Sequence, residues 1–399
     1  IDKINSQFKN LKKIQKVFLH CFKNSENTDL LFNNLILNES IDFSRYNYFY
    51  ANYLINNNRS KKAEKILLSS IKEYPRNLLL NQMLFDIQYK KVKTNFDCRS
   101  ISNVIGEIFY ITANALSSQY VYTFSNFYLN LAKYLNDDFY AFNTLLAENY
   151  YNLDNYEKAL KIYKQIEKKG EIFNWYAAKQ IATINLELDN NSLALNKLDK
   201  AYKKLKKKGL YEKYDYAKFL KNNNQFDKSI KLYSEIISSV TKSHPLYPKL
   251  KDGRGVSYER IGEWKKAEKD LLASLDSVPD QAYVLNYLAY SWIEKGININ
   301  RSLKMLKKAN ELKSNDPYII DSLGWALFKL KKYEESQNYL QSAVQLMPAD
   351  PVINDHYGDV LWMNNKRVQA RYYWKFVLNL EETEESLKNN IKIKLINGL

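Results

Sequence analysis

Residues 318–348, YIIDSLGWALFKLKKYEESQNYLQSAVQLMP, read as two amphipathic helices joined by a short polar turn. Counting Pro317 as position 1, Leu323 and Gly324 fall at 7 and 8, Leu327 at 11, Ser336 at 20, Leu340 at 24, Ala343 at 27 and Pro348 at 32. Gly324 and Ala343 lack bulk where two helices cross closely, and Leu323, Leu327 and Leu340 fill the space around the crossing. Pro348 ends the second helix. A single hairpin of this kind cannot bury its apolar faces, so neighbours must stack on it.

The same spacing recurs on both sides. From Ser44, Ala51 takes position 8, Leu54 11, Ala63 20, Leu67 24, Ser70 27 and Pro75 32. Further units place Ala113, Ala147, Ala182, Ala217 and Gly255 at position 8, Ser125, Ala159, Ala194, Ser229 and Ala267 at 20, and Leu129, Tyr163, Leu198, Tyr233 and Leu271 at 24. A unit with Leu288, Ala289, Ser302, Leu306 and Ala309 carries one extra residue in its inner turn, Gly296–Arg301. The last unit has Tyr357, Gly358, Leu361, Ala370, Trp374 and Val377. This alternation of small and large residues is that of the tetratricopeptide (TPR) repeat. It predicts an all-α, right-handed TPR superhelix, an α-solenoid with terminal capping helices.

Residues 1–43, with apolar-periodic segments Ile4–Phe22 and Asp29–Leu37, are expected to cap the first repeat. Residues 44–105 hold one repeat and a degenerate one: after the helix Leu78–Lys91, the polar stretch KTNFDCRS (Lys93–Ser100) stands where a second helix belongs, as a broken repeat or a loop separating two stacks. Residues 106–384 form the main array, lengthened once by HPLYP (His244–Pro248), and 385–399 a C-terminal capping helix.

The chain has 399 residues, 45% apolar, with only 10 Gly and 7 Pro, a composition that favours helices over sheets and linkers. The net charge of +16 invites a nucleic-acid or acidic-membrane reading, but the lysines are spread over many helices, and the densest run, Lys203–Lys208 (KKLKKK), reads as the solvated end of a second helix. No apolar run reaches ~18 residues. Cys21 and Cys98 belong to no CxxC motif, and in a linear stack their segments do not meet, so two separate thiols are expected. The chain begins at Ile1, which leaves room for a removed signal or lipid-modified segment ahead of it.

The strings VLNYLAYSW, YIIDSLGWALFKL, NDHYGDVLW and ARYYW, within 247–380, resemble the terminal repeats of a bacterial envelope TPR family common in alphaproteobacteria. They are also similar to pseudomonad outer-membrane TPR lipoproteins that bind a periplasmic carboxyl-terminal processing protease. The resemblance implies a non-catalytic adaptor of the cell envelope, periplasmic or outer-membrane-associated, with such a protease as candidate partner. A cytoplasmic TPR scaffold is the alternative, separated by whether a signal segment precedes Ile1. An RNA-binding helical repeat is a third reading, tested by salt-sensitive binding to single-stranded RNA.

No catalytic constellation emerges from His20, His244 and His356, and neither cofactor nor metal is expected. Gly253 and Gly255 in KDGRG lie in a first helix with no preceding strand, unlike a phosphate-binding loop. His356 reads as a capping or hydrogen-bonding residue. The informative feature is a stripe at positions 5, 9 and 12 of successive first helices, beside the core stripe. It comprises Asn286, Tyr290 and Ile293, then Asp321, Trp325 and Phe328, then Asp355, Asp359 and Trp362. Large aromatics there point to a protein or peptide partner in a concave groove, the competing occupant being the chain's own terminal helix or a second copy. The acidic positions argue against a carboxylate clamp and for a ligand with basic or neutral polar groups and an apolar anchor.

Overall fold

The structure, a computed structural model, describes residues 9–37 and 43–399. The start of the segment Ile4–Phe22 lies outside the described residues. Among those described there are twenty-two helices and no strand, and the chain forms two compact units that divide between Glu212 and Lys213. The first unit opens with α1 (Lys9–Phe22), α2 (Thr28–Ile36), α3 (Ser44–Asn56), α4 (Ser60–Glu73) and α5 (Leu78–Gln88). Three hairpins follow: α6 (Ile101–Ser118) with α7 (Tyr122–Leu135), α8 (Ala141–Asn152) with α9 (Tyr156–Ile166), and α10 (Glu171–Glu187) with α11 (Asn191–Lys204). The division falls in α12 (Leu210–Asn222), which meets α13 (Phe226–Ser239). Then come α14 (Tyr247–Arg260) with α15 (Trp264–Ser277), α16 (Ala282–Glu294) with α17 (Ile299–Leu312), α18 (Pro317–Lys329) with α19 (Tyr333–Leu346), α20 (Pro351–Met363) with α21 (Arg367–Leu378), and α22 (Glu385–Asn397). The fold class is all-α, with TPR-like antiparallel helix pairs in each unit.

The crossings use the small residues as the spacing requires. Ala51, Ala113, Ala147, Ala182, Ala217 and Ala289 at position 8 are fully buried, as are Leu67, Leu129, Leu271, Leu306, Leu340 and Trp374 at position 24. Where position 8 is glycine the approach is closer: a Cβ on Gly324 would stand 2.7 Å from Leu340 Cγ, and one on Gly358 2.5 Å from Trp374 Nε1. Gly253 and Gly255 are packing glycines of α14, against Tyr233 and Leu271. Serine at position 20 adds a bond across the crossing. Ser125 Oγ donates to the Ala113 carbonyl (2.8 Å), Ser229 to Ala217 (2.9 Å) and Ser336 to Gly324 (2.7 Å). The extra residue in the α16–α17 turn shifts Ser302 out of this register, and its Oγ is buried without a partner.

Each inner turn closes in one way. The residue seven after the small position is left-handed in every hairpin: Asn58, Tyr120, Asp154, Asp189, Asn224, Gly262, Gly296, Lys331 and Asn365. The next amide then bonds back to position 11, as in Arg59 N to Leu54 O (2.8 Å) and Lys332 N to Leu327 O (2.9 Å), which satisfies a carbonyl the helix leaves open. Asn, Asp and Gly dominate because they tolerate this conformation.

The first unit departs from a stack in which each hairpin touches only its neighbours. Helix α5 packs on α3 and α4 and also on α10, where Gln82 Oε1 accepts from the Ile172 amide (3.0 Å). The stretch KTNFDCRS forms no second helix and runs back into the core as a loop. Its Phe96, 2% exposed, inserts between Phe49 (centroids 4.3 Å), Phe18 (5.8 Å) and Phe139 (5.7 Å), and the Asn52 amide donates to its carbonyl. Two residues on, Cys98 is disulfide-bonded to Cys21 of α1, with Cα atoms 5.8 Å apart. The expectation of two separate thiols is therefore corrected: α1 folds over the first hairpin and meets the returning loop. Arg45 of α3 forms a bidentate pair with the fully buried Glu107 of α6 (both 2.7 Å) and lies 3.7 Å from the Tyr110 ring. In the run KKLKKK the five lysines are exposed at and just beyond the end of α11, while Leu205 between them is buried and Lys206 lies 4.5 Å from the Tyr89 ring.

Candidate functional site

Two of the three helices that carry the stripe, α18 and α20, are capped at their starts. Asp316 caps α18 by accepting from the Tyr318 and Ile319 amides (3.1 and 3.2 Å), and Asp350 caps α20 by accepting from Val352 and Ile353 (2.9 and 3.0 Å). Proline at the first helical position follows each cap, where its missing N–H costs nothing.

On α18, Trp325 is 7% exposed and stacks between Phe328 (4.7 Å, 4°) and His356 of α20 (3.9 Å, 12°). Its Nε1 donates to Glu294 at the end of α16 (2.6 Å). His356 Nδ1 lies 3.0 Å from both Asp321 oxygens, and both side chains are buried. Burial by itself would lower the imidazole's pKa, but the charge and hydrogen bond of Asp321, with Asp355 and Asp359 nearby, hold it above the ordinary histidine value. These contacts tie α16, α18 and α20 together.

On α20, Asp355 and Asp359 stand four residues apart and point the same way. Lys394 Nζ of α22 bonds to all four of their oxygens, at 2.8 Å to Asp355 and 2.7 and 2.8 Å to Asp359. Asp359 also accepts from Trp374 Nε1 (3.0 Å). Burial first, then the neighbouring Asp355, push the Asp359 carboxyl up to about 6, against the pull of Lys394. Trp362 packs 5.4 Å from Trp374, with the Arg367 and Arg371 guanidinium carbons 5.2 and 4.9 Å from its ring and Gly398 against its edge.

The structure thus brings Asp321, Trp325 and Phe328 into one cluster with His356, and Asp355, Asp359 and Trp362 into a second covered by α22. Asn286, Tyr290 and Phe328 remain partly exposed, and Asn286 Oδ1 is buried without a hydrogen-bond partner. Glu294, His356, Trp374 and Lys394 take part from off the predicted stripe. Glu294 follows Tyr290 by one helical turn, so extending the stripe by one position would have found it. Nothing local in the sequence marks Lys394, one of many lysines. No cluster of His, Cys, Asp and Glu suited to a metal ion occurs among the described residues, and no helix among them is long and apolar enough to cross a membrane.

The tetratricopeptide-repeat family model matches residues 144–169, which cover most of α8, all of α9 and the following turn. A TPR repeat-containing protein of Pseudomonas aeruginosa is 29% identical over 143 residues, which are 36% of this chain and 23% of the relative. The match thus spans under a quarter of that relative's length. Among solved structures, a thermophilic TPR protein of Thermus thermophilus aligns over 47% of this chain and all of its own, at 13% identity and a TM-score of 0.40. MamA from Desulfovibrio magneticus aligns over 44% of this chain and 97% of its own, at 14% identity and a TM-score of 0.38.

Proposed function

We propose that this protein is a non-catalytic interaction scaffold of the bacterial cell envelope, holding a partner segment against the first-helix face of α16, α18 and α20. The observation that carries the reading is the occupied state of that face. Its aspartates already hold a lysine from a helix outside the hairpin array, and the same face carries the partly exposed Tyr290 and Phe328. A surface that holds a helix by aromatic anchors and a charge seat has the features of peptide recognition by a groove. The Cys21–Cys98 disulfide supports a periplasmic or outer-membrane-associated location, because such bonds persist in oxidising compartments. By the resemblance of its last repeats, a carboxyl-terminal processing protease is the leading partner.

The test is capture of partners from envelope extract on the immobilised full chain, followed by calorimetry with the recovered protein. Tyr290→Ala and Phe328→Ala should each weaken binding about tenfold or more, as truncated aromatic anchors do. Lys331→Ala with Lys332→Ala, at the far turn, should leave affinity unchanged. If the lysine pair matters and the aromatics do not, the basic surface is the recognition element and the groove reading fails.

A further inference from the structure

We infer that the paired carboxylates of Asp355 and Asp359 form a recognition seat for a lysine on a partner helix, and that α22 is its resident, displaceable ligand. This rests on the groove reading above and adds the chemistry of the partner and its competitor. The carboxylates are not offered as a site by themselves. A lysine from an element 35 residues further along the chain is seated in them.

Three features of α22 give the seat its specificity. Lys394 supplies a compact charge with three donors to four inward-facing oxygens. Ile391, one turn before it, is fully buried, and Leu395 beside it is half-buried against the α20–α21 hairpin. A partner segment that replaces α22 therefore needs a lysine with aliphatic residues three before and one after it, on a helix. The acidic stripe selects such a basic, apolar-anchored segment over an acidic one.

The hold on α22 is concentrated in a few side chains: Lys394, Ile391, and the partly buried Leu387 and Leu395. Ile391 is the one fully buried side chain of the helix, while Ile393, Ile396 and Leu399 are exposed along its outer side and tail. A helix of this length is marginal in water without a partner surface. Its tether is anchored independently: Thr383 is buried and its Oγ1 donates to the Val377 carbonyl (2.7 Å). Release at Glu384 frees α22 while this tether stays fixed to α21, and uncovers the α21 face of Trp374 and Val377 that Ile391 packs on.

The experiment uses the full chain and a labelled synthetic peptide of residues 386–399. Lys394→Met empties the chain's own seat, so this variant should bind the peptide at least tenfold tighter than the unaltered chain. The same peptide carrying Lys394→Met should lose that gain, as should a chain that also carries Asp355→Asn and Asp359→Asn. Hydrogen exchange on the unaltered chain needs no variant. The amides of α22 should exchange at least tenfold faster than those of α20 and α21, and faster again when peptide is added. Exchange of α22 only in concert with α20 and α21, or no gain in peptide affinity, overturns the inference. If the Lys394→Met chain fails to fold, the exchange pattern of the unaltered chain decides alone. Peptide exchange without any groove-dependent envelope partner removes the scaffold reading and leaves the seat, while partner capture through Tyr290 without exchange of α22 does the reverse.

Discussion

Replacing Gly324 with leucine tests the crossing on which the repeat register rests. A Cβ there would stand 2.7 Å from Leu340 Cγ, 2.9 Å from its Cδ2 and 3.2 Å from its backbone nitrogen, all inside ordinary contact distance. Leu340 is fully buried and has no solvent side to turn toward, and its backbone moves only if α19 moves. Alanine at 324 regains ~1 kcal/mol of helix propensity over glycine, which offsets part of an overpacking cost of ~1–3 kcal/mol. Gly324→Ala should therefore cost at most ~2 kcal/mol. Leucine gains nearly the same propensity and pushes three more heavy atoms into the same space, so Gly324→Leu belongs at the upper end, ~3 kcal/mol. For a unit of this size each kcal/mol lowers Tm by ~2–4 °C, so the melt should fall by roughly 6–12 °C. Leu340→Ala alone should cost ~2–5 kcal/mol from its cavity. Combined with Gly324→Leu it should cost clearly less than the two separately, because the new side chain fills the vacated space. Thermal melts by circular dichroism give the four corners of the cycle, and hydrogen exchange should place the damage in α18 and α19 while leaving α3 and α4 unchanged. An unaltered melt for Gly324→Leu, or strict additivity in the double variant, would refute the close crossing.

Phe96→Ala should destabilise the first unit by ~3–5 kcal/mol, since it empties a site among Phe18, Phe49 and Phe139; denaturant unfolding that shows under 1 kcal/mol would mean the loop does not plug the core. Reducing the Cys21–Cys98 bond, which closes a loop 77 residues long, should cost ~4 kcal/mol by freeing the unfolded chain, read as a lower melt in reductant that Cys21→Ala with Cys98→Ala reproduces. The pH dependence of the second unit follows from two upward shifts. Asp359, raised to about 6, and His356, raised above its ordinary value, contribute stability that is fully present below their unfolded values, ~4 and ~6.5, and lost as pH rises through the folded ones. Chemical unfolding followed by Trp fluorescence should show this decline, and His356→Gln should flatten its upper part; a slope unchanged by that substitution removes His356 as its source.

The sequence by itself determined the hairpins. A small residue at position 8, a small one at 20 and a large one at 24 are dictated by how closely two helices cross, and that constraint acts within a few tens of residues, so Ala63, Ser336 and Leu340 could be placed from spacing alone. The inner turns were equally local, since Asn, Asp or Gly recurs seven residues after the small position, with Tyr120 and Lys331 tolerated in the same left-handed state. The tertiary structure decided what returns across distance. Phe96 sits in a polar run that reads as a loop, yet it completes a core built from α1, α3 and residue 139. Cys21 meets Cys98 only because α1 lies over the first hairpin, and α5 reaches α10 only because its missing partner helix leaves a face open. The stripe behaved in the same way. Its acidic and aromatic positions were visible, whereas the lysine that fills it was one of many, distinguished only by where α22 comes to rest. Periodicity reports which face of a helix is buried, and carries no information on which distant segment buries it.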